Sequence, residues 1–157
     1  MNASNATPWI GDWAWSLPLI VSTLVIHVCG LAFISGRVVN DLDQAMDRAD
    51  FIPKFVVVIG GTALLATILH GIEAGLWAGA YIFLDALPDN RSAMLYSLSA
   101  MTAYGHAPLF LKAHWQLMGA LEALNGMLLF GLTTAFLFAM IQRVWPLGSR
   151  ALRRERR

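Results

Sequence analysis

From Leu17 to Gly36 the chain runs for twenty residues without an Asp, Glu, Lys or Arg. A helix of that length crosses the hydrocarbon core of a bilayer. Inside hydrocarbon every backbone polar group must be satisfied within the protein, which leaves helices or a closed barrel as the available folds. Two further apolar runs follow, Phe55 to Leu84 and Trp115 to Ile141, and each holds one residue of the Asp, Glu, Lys and Arg set, Glu73 and Glu122 respectively. Only 13% of the 157 residues are charged, about half the share of a soluble domain. The chain has too little polar surface to cover itself in water, and three membrane-spanning helices are expected.

The segments between the runs set the expected topology. Met1 to Gly11 is polar and has no Lys or Arg, unlike the positive start of a signal peptide. Trp13 and Trp15 then stand where an interfacial aromatic belt belongs. Asn2, Asn5 and Asn90 open triplets of the glycosylation pattern, which we read as chance. Arg37 to Lys54 changes composition abruptly, with Asp41, Asp43, Asp47, Asp50 and Arg48 among apolar Val39, Leu42, Met46 and Ala49 at helical spacing. A short amphipathic helix on the membrane surface fits this pattern, as does a solvated linker helix. Six of the eleven basic residues lie in the last fifteen positions. Basic flanks stay in the cytoplasm, so the tail and the Arg37–Lys54 loop are expected inside and the N-terminus outside. The same tail gives little reason to expect nucleic-acid binding. Cys29 is the single cysteine, so no intrachain disulfide and no cysteine-based metal site is available, and no metal or cofactor is expected. The expected division is 1–54 for the first span and its linker, 55–145 for a second unit, and 146–157 for a basic tail.

Within that second unit, Ser92 to Met101 is a short apolar segment. It is followed by Thr102-Ala103-Tyr104-Gly105-His106-Ala107-Pro108 and then by the third long run. A short helix, a glycine-bearing loop and a spanning helix make a re-entrant hairpin. Irregular backbone at membrane depth is tolerated only where protein buries it or a watery cavity is lined by it. The expected fold is therefore an all-α membrane protein with three transmembrane helices and a re-entrant pore helix and loop between the second and third.

This order of elements resembles the pore domain of the potassium-channel superfamily. The run from His114 to Gly126, continued by Leu128-Leu129-Phe130-Gly131-Leu132-Thr133-Thr134-Ala135-Phe136-Leu137, is similar to the inner helix of small bacterial two-transmembrane ion-channel proteins. The resemblance covers roughly Phe55 to Arg143 and leaves the first span outside it. It implies a cell-membrane homotetramer, in bacteria an inner-membrane one, whose four loops surround monovalent cations with backbone carbonyls. The family filter reads Thr-Val/Leu-Gly-Tyr-Gly-Asp. One register matches it to Met101-Thr102-Ala103-Tyr104-Gly105. The other, which keeps the spacing on both sides, matches it to Ala103-Tyr104-Gly105-His106-Ala107, and we prefer the second. Either register replaces one filter glycine by alanine, at about 1 kcal/mol or more per left-handed alanine, so pore architecture is expected with an altered ion preference. Gly126 falls where the family has its hinge glycine, and Gly131 follows five residues on; close helix contact explains Gly126 equally.

Ionisable and amide groups inside a span are costly unless they face protein. His70, Glu73 and Trp77 share one face of the second span. Glu122 and Asn125 lie on the third. One reading has Glu73 and Glu122 bracketing the filter; the other makes them structural hydrogen-bonding groups. His106 in the loop titrates near neutral pH, and its protonation would oppose a cation path. His27 on the first span reads as a satisfied core histidine. The expected function is thus a pore subunit passing K+ or Na+, embedded in the lipid bilayer. Two alternatives stand beside it: a non-conducting assembly partner with a pore fold, and a haem-binding redox subunit using His27 and His70 as axial ligands. No nucleophile elbow, P-loop or dinucleotide fingerprint suggests an enzyme.

Overall fold

The computed structural model describes residues 6–45, 51–105 and 109–155, with side chains described over 9–37, 53–105 and 109–143. The described residues are mostly helical, with no strand among them. Helix α1 covers Ala6–Ala45, α2 Phe51–Phe83, α3 Asn90–Met101 and α4 Gln116–Glu155, with a single 3-10 turn, Ala113–Trp115, leading into α4.

Three segments are long and apolar enough to cross a membrane: Trp9–Arg37, Pro53–Phe83 and Ala113–Arg143, of 29, 31 and 31 residues. At 1.5 Å per residue each is roughly 45 Å long, more than the ~30 Å of hydrocarbon, so a tilted or protruding helix is accommodated. The distribution of side chains agrees with a multi-pass membrane protein. Val21, Val25, Val57, Leu64, Ile68, Ile72 and Phe138 are exposed, while Thr23, His27, Thr62, Glu73, Glu122 and Asn125 are buried. Apolar surface facing outward and polar groups facing inward suit a lipid solvent.

The boundaries differ from expectation at two places. Among the described residues of Arg37 to Lys54 no separate helix is set off: α1 continues through Arg37 to Ala45, and Phe51 to Lys54 already belong to α2. The charged residues there interrupt hydrophobicity but not helix propensity, so a change of composition is not a change of backbone. Asp47, Arg48 and Asp50 lie outside the described residues. Likewise the segment after 145 begins no new element, because α4 runs on to Glu155.

The chain divides into two compact units. One consists of residues 1–27 and 70–130, the other of 28–69 and 131–157, so α1, α2 and α4 each contribute a stretch to both. In the first unit, Trp15 of α1 packs on Phe83 of α2 at 5.6 Å between ring centroids, and Gly11 lies beside the indole of Trp115. The start of α1, the end of α2 and the start of α4 therefore meet at one aromatic end. There Trp77, Tyr81, Leu87, Leu111 and Met118 form a buried cluster on which Leu19 and Ile20 pack. Asp12 accepts the Met118 N–H at 3.2 Å. Met118 is in the first turn of α4, where N–H groups have no intrahelical partner.

Helix α3 starts on a capped turn. Asp89 takes an extended conformation and its carboxylate accepts the Ser92 N–H at 2.9 Å and the Ser92 hydroxyl at 2.7 Å. These bonds hold its pKa below the usual carboxylate range. Asp85 before it is held low by the hydrogen bond and charge of Lys112.

In the second unit, Leu31, Ile34, Ala66, Leu69 and Met140 are buried. Gly30 meets Leu69 so closely that an added Cβ would lie 2.7 Å from its Cδ2. Gly60 and Gly61, which the sequence suggests for close helix packing, have open space around them within the described chain.

Candidate functional site

Two polar clusters occupy the interior of the first unit. The first holds His27, His70 and Glu73. His70 and Glu73 share a face of α2 one turn apart, as their spacing requires. Helix α1 supplies His27, whose Nδ1 lies 2.8 Å from Glu73 Oε1. His70 Nδ1 lies 3.3 Å from Glu73 Oε2. The two imidazole centroids are 5.0 Å apart, and His70 stacks on Phe130 of α4 at 4.3 Å. His27 and Glu73 are fully buried. His27 is thus a buried histidine satisfied by Glu73, and the two imidazole rings lie side by side. Rings this close, with a carboxylate bonded to one of them, leave no space for a porphyrin plane between them.

The second cluster centres on Glu122. Tyr81 Oη donates to Glu122 Oε2 at 2.6 Å. Ser97 Oγ hydrogen-bonds Glu122 Oε1 and lies 2.8 Å from the Ala74 carbonyl; its single proton serves one acceptor at a time. All three side chains are buried. Next to this cluster in sequence, Asn125 Nδ2 donates to Thr23 Oγ1 at 2.9 Å. Thr23 Oγ1 in turn donates to the Leu19 and Ile20 carbonyls of its own helix. Glu122 therefore ties α4 to α2 and α3, whereas Glu73 ties α2 to α1. Of the two glutamates expected to bracket the filter loop, Glu122 touches the segment that carries it, through Ser97.

The position of these bonds along the helices matters. Ala74 lies nine residues before the end of the second apolar segment, and Glu122 nine residues after the start of the third. Each is thus about 14 Å along its helix from that end. The middle of α3, through Ser97, contacts both. Its last residue, Met101, meets Gly126, still further along α4. An added Cβ on Gly126 would lie 2.6 Å from Met101 Cα. A Cβ added at Gly131 would meet no atom of another element within 4 Å among the described residues.

The loop after α3 is held by the Thr102 N–H on the Leu98 carbonyl, the Ala103 N–H on Ala100 and the Tyr104 N–H on Ser99. The Thr102 hydroxyl also bonds the Leu98 carbonyl, at 2.7 Å. Ala103 has φ +53° and Gly105 φ +68°, both left-handed. Thr102 to Gly105 are exposed, Tyr104 strongly. His106 and Ala107 lie outside the described residues. Thr133 of α4 is buried and Thr134 exposed.

Sequence reasoning singled out His70, Glu73, Glu122 and Asn125 as intramembrane polar residues, and all four bear on these contacts. It missed Tyr81, Ser97, Thr23 and Asp12. Hydroxyls are common on lipid-facing helices, so they stand out only once an acceptor is seen opposite them. Asp12, one residue before Trp13, reads as part of a polar N-terminal flank. Comparison with known proteins adds nothing to this geometry: no family model, curated protein or solved structure matches the chain.

Proposed function

We propose that this chain is one subunit of a homo-oligomeric membrane pore, most simply a tetramer, that passes monovalent cations along the loop Thr102–Ala107. The observation that carries this reading is the anchoring of α3. Its middle is bonded to groups about 14 Å inside both neighbouring spans, and its end abuts α4 deeper still, at Gly126. By Ala113 the chain is back at the start of the third apolar segment. A short helix that enters to near the middle of ~30 Å of hydrocarbon and returns by irregular backbone is a re-entrant hairpin. Such backbone is stable only beside protein or water. In a single chain Thr102 to Gly105 face outward. Four copies around an axis turn that exposure into a lined path, with the loop carbonyls available to an ion.

The left-handed positions bear on the filter register. They fall at Ala103 and Gly105, where the register Met101–Gly105 puts the two filter glycines. That favours this register over the Ala103–Ala107 alternative that sequence spacing prefers. An alanine held left-handed in each subunit makes close discrimination between K+ and Na+ unexpected. In the orientation that the basic residues favour, the N-terminus and the loop face outside and the C-terminus the cytoplasm.

The test is flux of K+ and Na+ from liposomes containing the purified protein, at outside pH values from about 5 to 8, across the histidine range. Flux that disappears in an assembled Gly105→Pro variant supports the pore. A stable oligomer without flux at any pH favours the second reading, a non-conducting assembly partner, which the strained alanine also motivates.

A further inference from the structure

The His27–His70–Glu73 cluster has a geometry that hydrogen bonding alone does not use up. Glu73 is fully buried, yet its Oε2 has no hydrogen bond. A carboxylate oxygen desolvated in this way is costly unless something positive completes it. One ligand atom from each of the three residues lies within 4.8 Å of the other two. The separations from the Glu73 oxygens are 2.8 Å to His27 Nδ1 and 3.3 Å to His70 Nδ1. A tetrahedral ion with bonds of about 2.0–2.1 Å needs donor atoms roughly 3.3 Å apart. The two spacings, each to a different oxygen of the carboxylate, lie at that value and about half an ångström below it. A histidine and a glutamate at i and i+3 on one helix is also a spacing by which helical bundles hold metals.

We infer that His27, His70 and Glu73 form an intramembrane binding site for a divalent transition-metal ion of the zinc class. Two imidazole nitrogens and one carboxylate oxygen suit Zn2+, Co2+ or Fe2+ and not Ca2+ or Mg2+, which take oxygen donors. Three protein ligands leave one position for solvent. His70 is the one partly exposed member of the set, so the open position faces its side, next to Phe130. The ion would join α1 to α2. It would also neutralise a carboxylate that is otherwise paired only through imidazoles. This inference does not depend on the pore reading, and its test involves no flux.

The full chain, purified in micelles and stripped of metal, is titrated with Co2+ and then with Zn2+. The expected result is one equivalent of Co2+ per chain with ligand-field bands of a four- or five-coordinate site, displaced by Zn2+, and a Zn2+-dependent rise in melting temperature. His27→Ala, His70→Ala and Glu73→Gln should each weaken binding at least by the roughly 10–100-fold that loss of a mere supporting contact costs. His114→Ala, outside the cluster, should not. X-ray absorption of the wild-type Zn2+ complex counts ligands without any variant, which keeps the test decisive where a variant does not fold. Two imidazoles and no sulfur are expected. Absence of bands and of stabilisation in the wild type overturns the inference, as does a sulfur ligand, fewer than two imidazoles, or unchanged binding in folded His27→Ala and Glu73→Gln.

Discussion

A methyl group on Gly126 is the most direct probe of how α3 is seated. In Gly126→Ala the new Cβ would lie 2.6 Å from Met101 Cα and 2.8 Å from its carbonyl carbon, with the carbonyl oxygen also in the way. The obstacle is backbone, so no rotamer change relieves it. Restoring an ordinary contact with the carbonyl oxygen requires the end of α3 to withdraw by about 1 Å, and forced overpacking of this kind costs about 1–3 kcal/mol. Alanine in a helix interior returns about 1 kcal/mol relative to glycine. The balance is a destabilisation of about 1 kcal/mol. Gly131→Ala, five residues along the same helix, meets nothing within 4 Å. It should collect the propensity gain alone, about 1 kcal/mol in the stabilising direction. Equilibrium unfolding in mixed micelles, followed by tryptophan fluorescence at one protein concentration, separates the two by about 2 kcal/mol. A Gly126→Ala protein as stable as Gly131→Ala would mean that α3 does not abut α4 at this point, and the argument for a deep α3 would lose its lower contact.

Three further outcomes follow from particular bonds. Glu122→Leu strands the Tyr81 hydroxyl in the interior, while Ser97 keeps the Ala74 carbonyl, and should cost about 1–3 kcal/mol in the same unfolding assay. Glu122→Gln keeps an acceptor and should cost less; equal losses would refute the hydrogen-bonding role. A double-mutant cycle of Thr23→Val and Asn125→Leu should give a coupling of about 0.6 kcal/mol, the usual size inside a membrane, and no coupling at all would place the two apart. The Asp89 cap depends on pH in a defined sense. Its folded pKa is depressed, so its contribution is present above the unfolded value of about 3.9 and is lost as pH falls through the lower folded value. Amide exchange in the first turn of α3 should therefore accelerate below about pH 4, and Asp89→Asn should remove most of that pH dependence.

Much of the interior was legible from residue type. A carboxylate or imidazole inside a long apolar run has nowhere favourable to point except into protein, so His70, Glu73, Glu122 and Asn125 identify themselves. Their partners do not. His27 lies 46 positions from the Glu73 it contacts, and no local spacing relates them. Ser97 and Tyr81 became part of the site only through the packing of three helices on Glu122. The helix limits at Arg37–Lys54 were misread for a related reason: charge density reports solvent, whereas the continuity of α1 rests on helix propensity, which those residues do not break.

The sequence by itself determined the class of fold, because three uncharged or singly charged runs of bilayer length leave few alternatives to spanning helices. It also determined that a short helix and a glycine loop stand between the second and third. Tertiary structure decided which buried groups share a cluster, that Gly126 is filled by the backbone of Met101, and that Ala103 takes a left-handed conformation. Those choices depend on contacts between residues far apart in the chain and on angles that an alanine adopts only when its surroundings compel it.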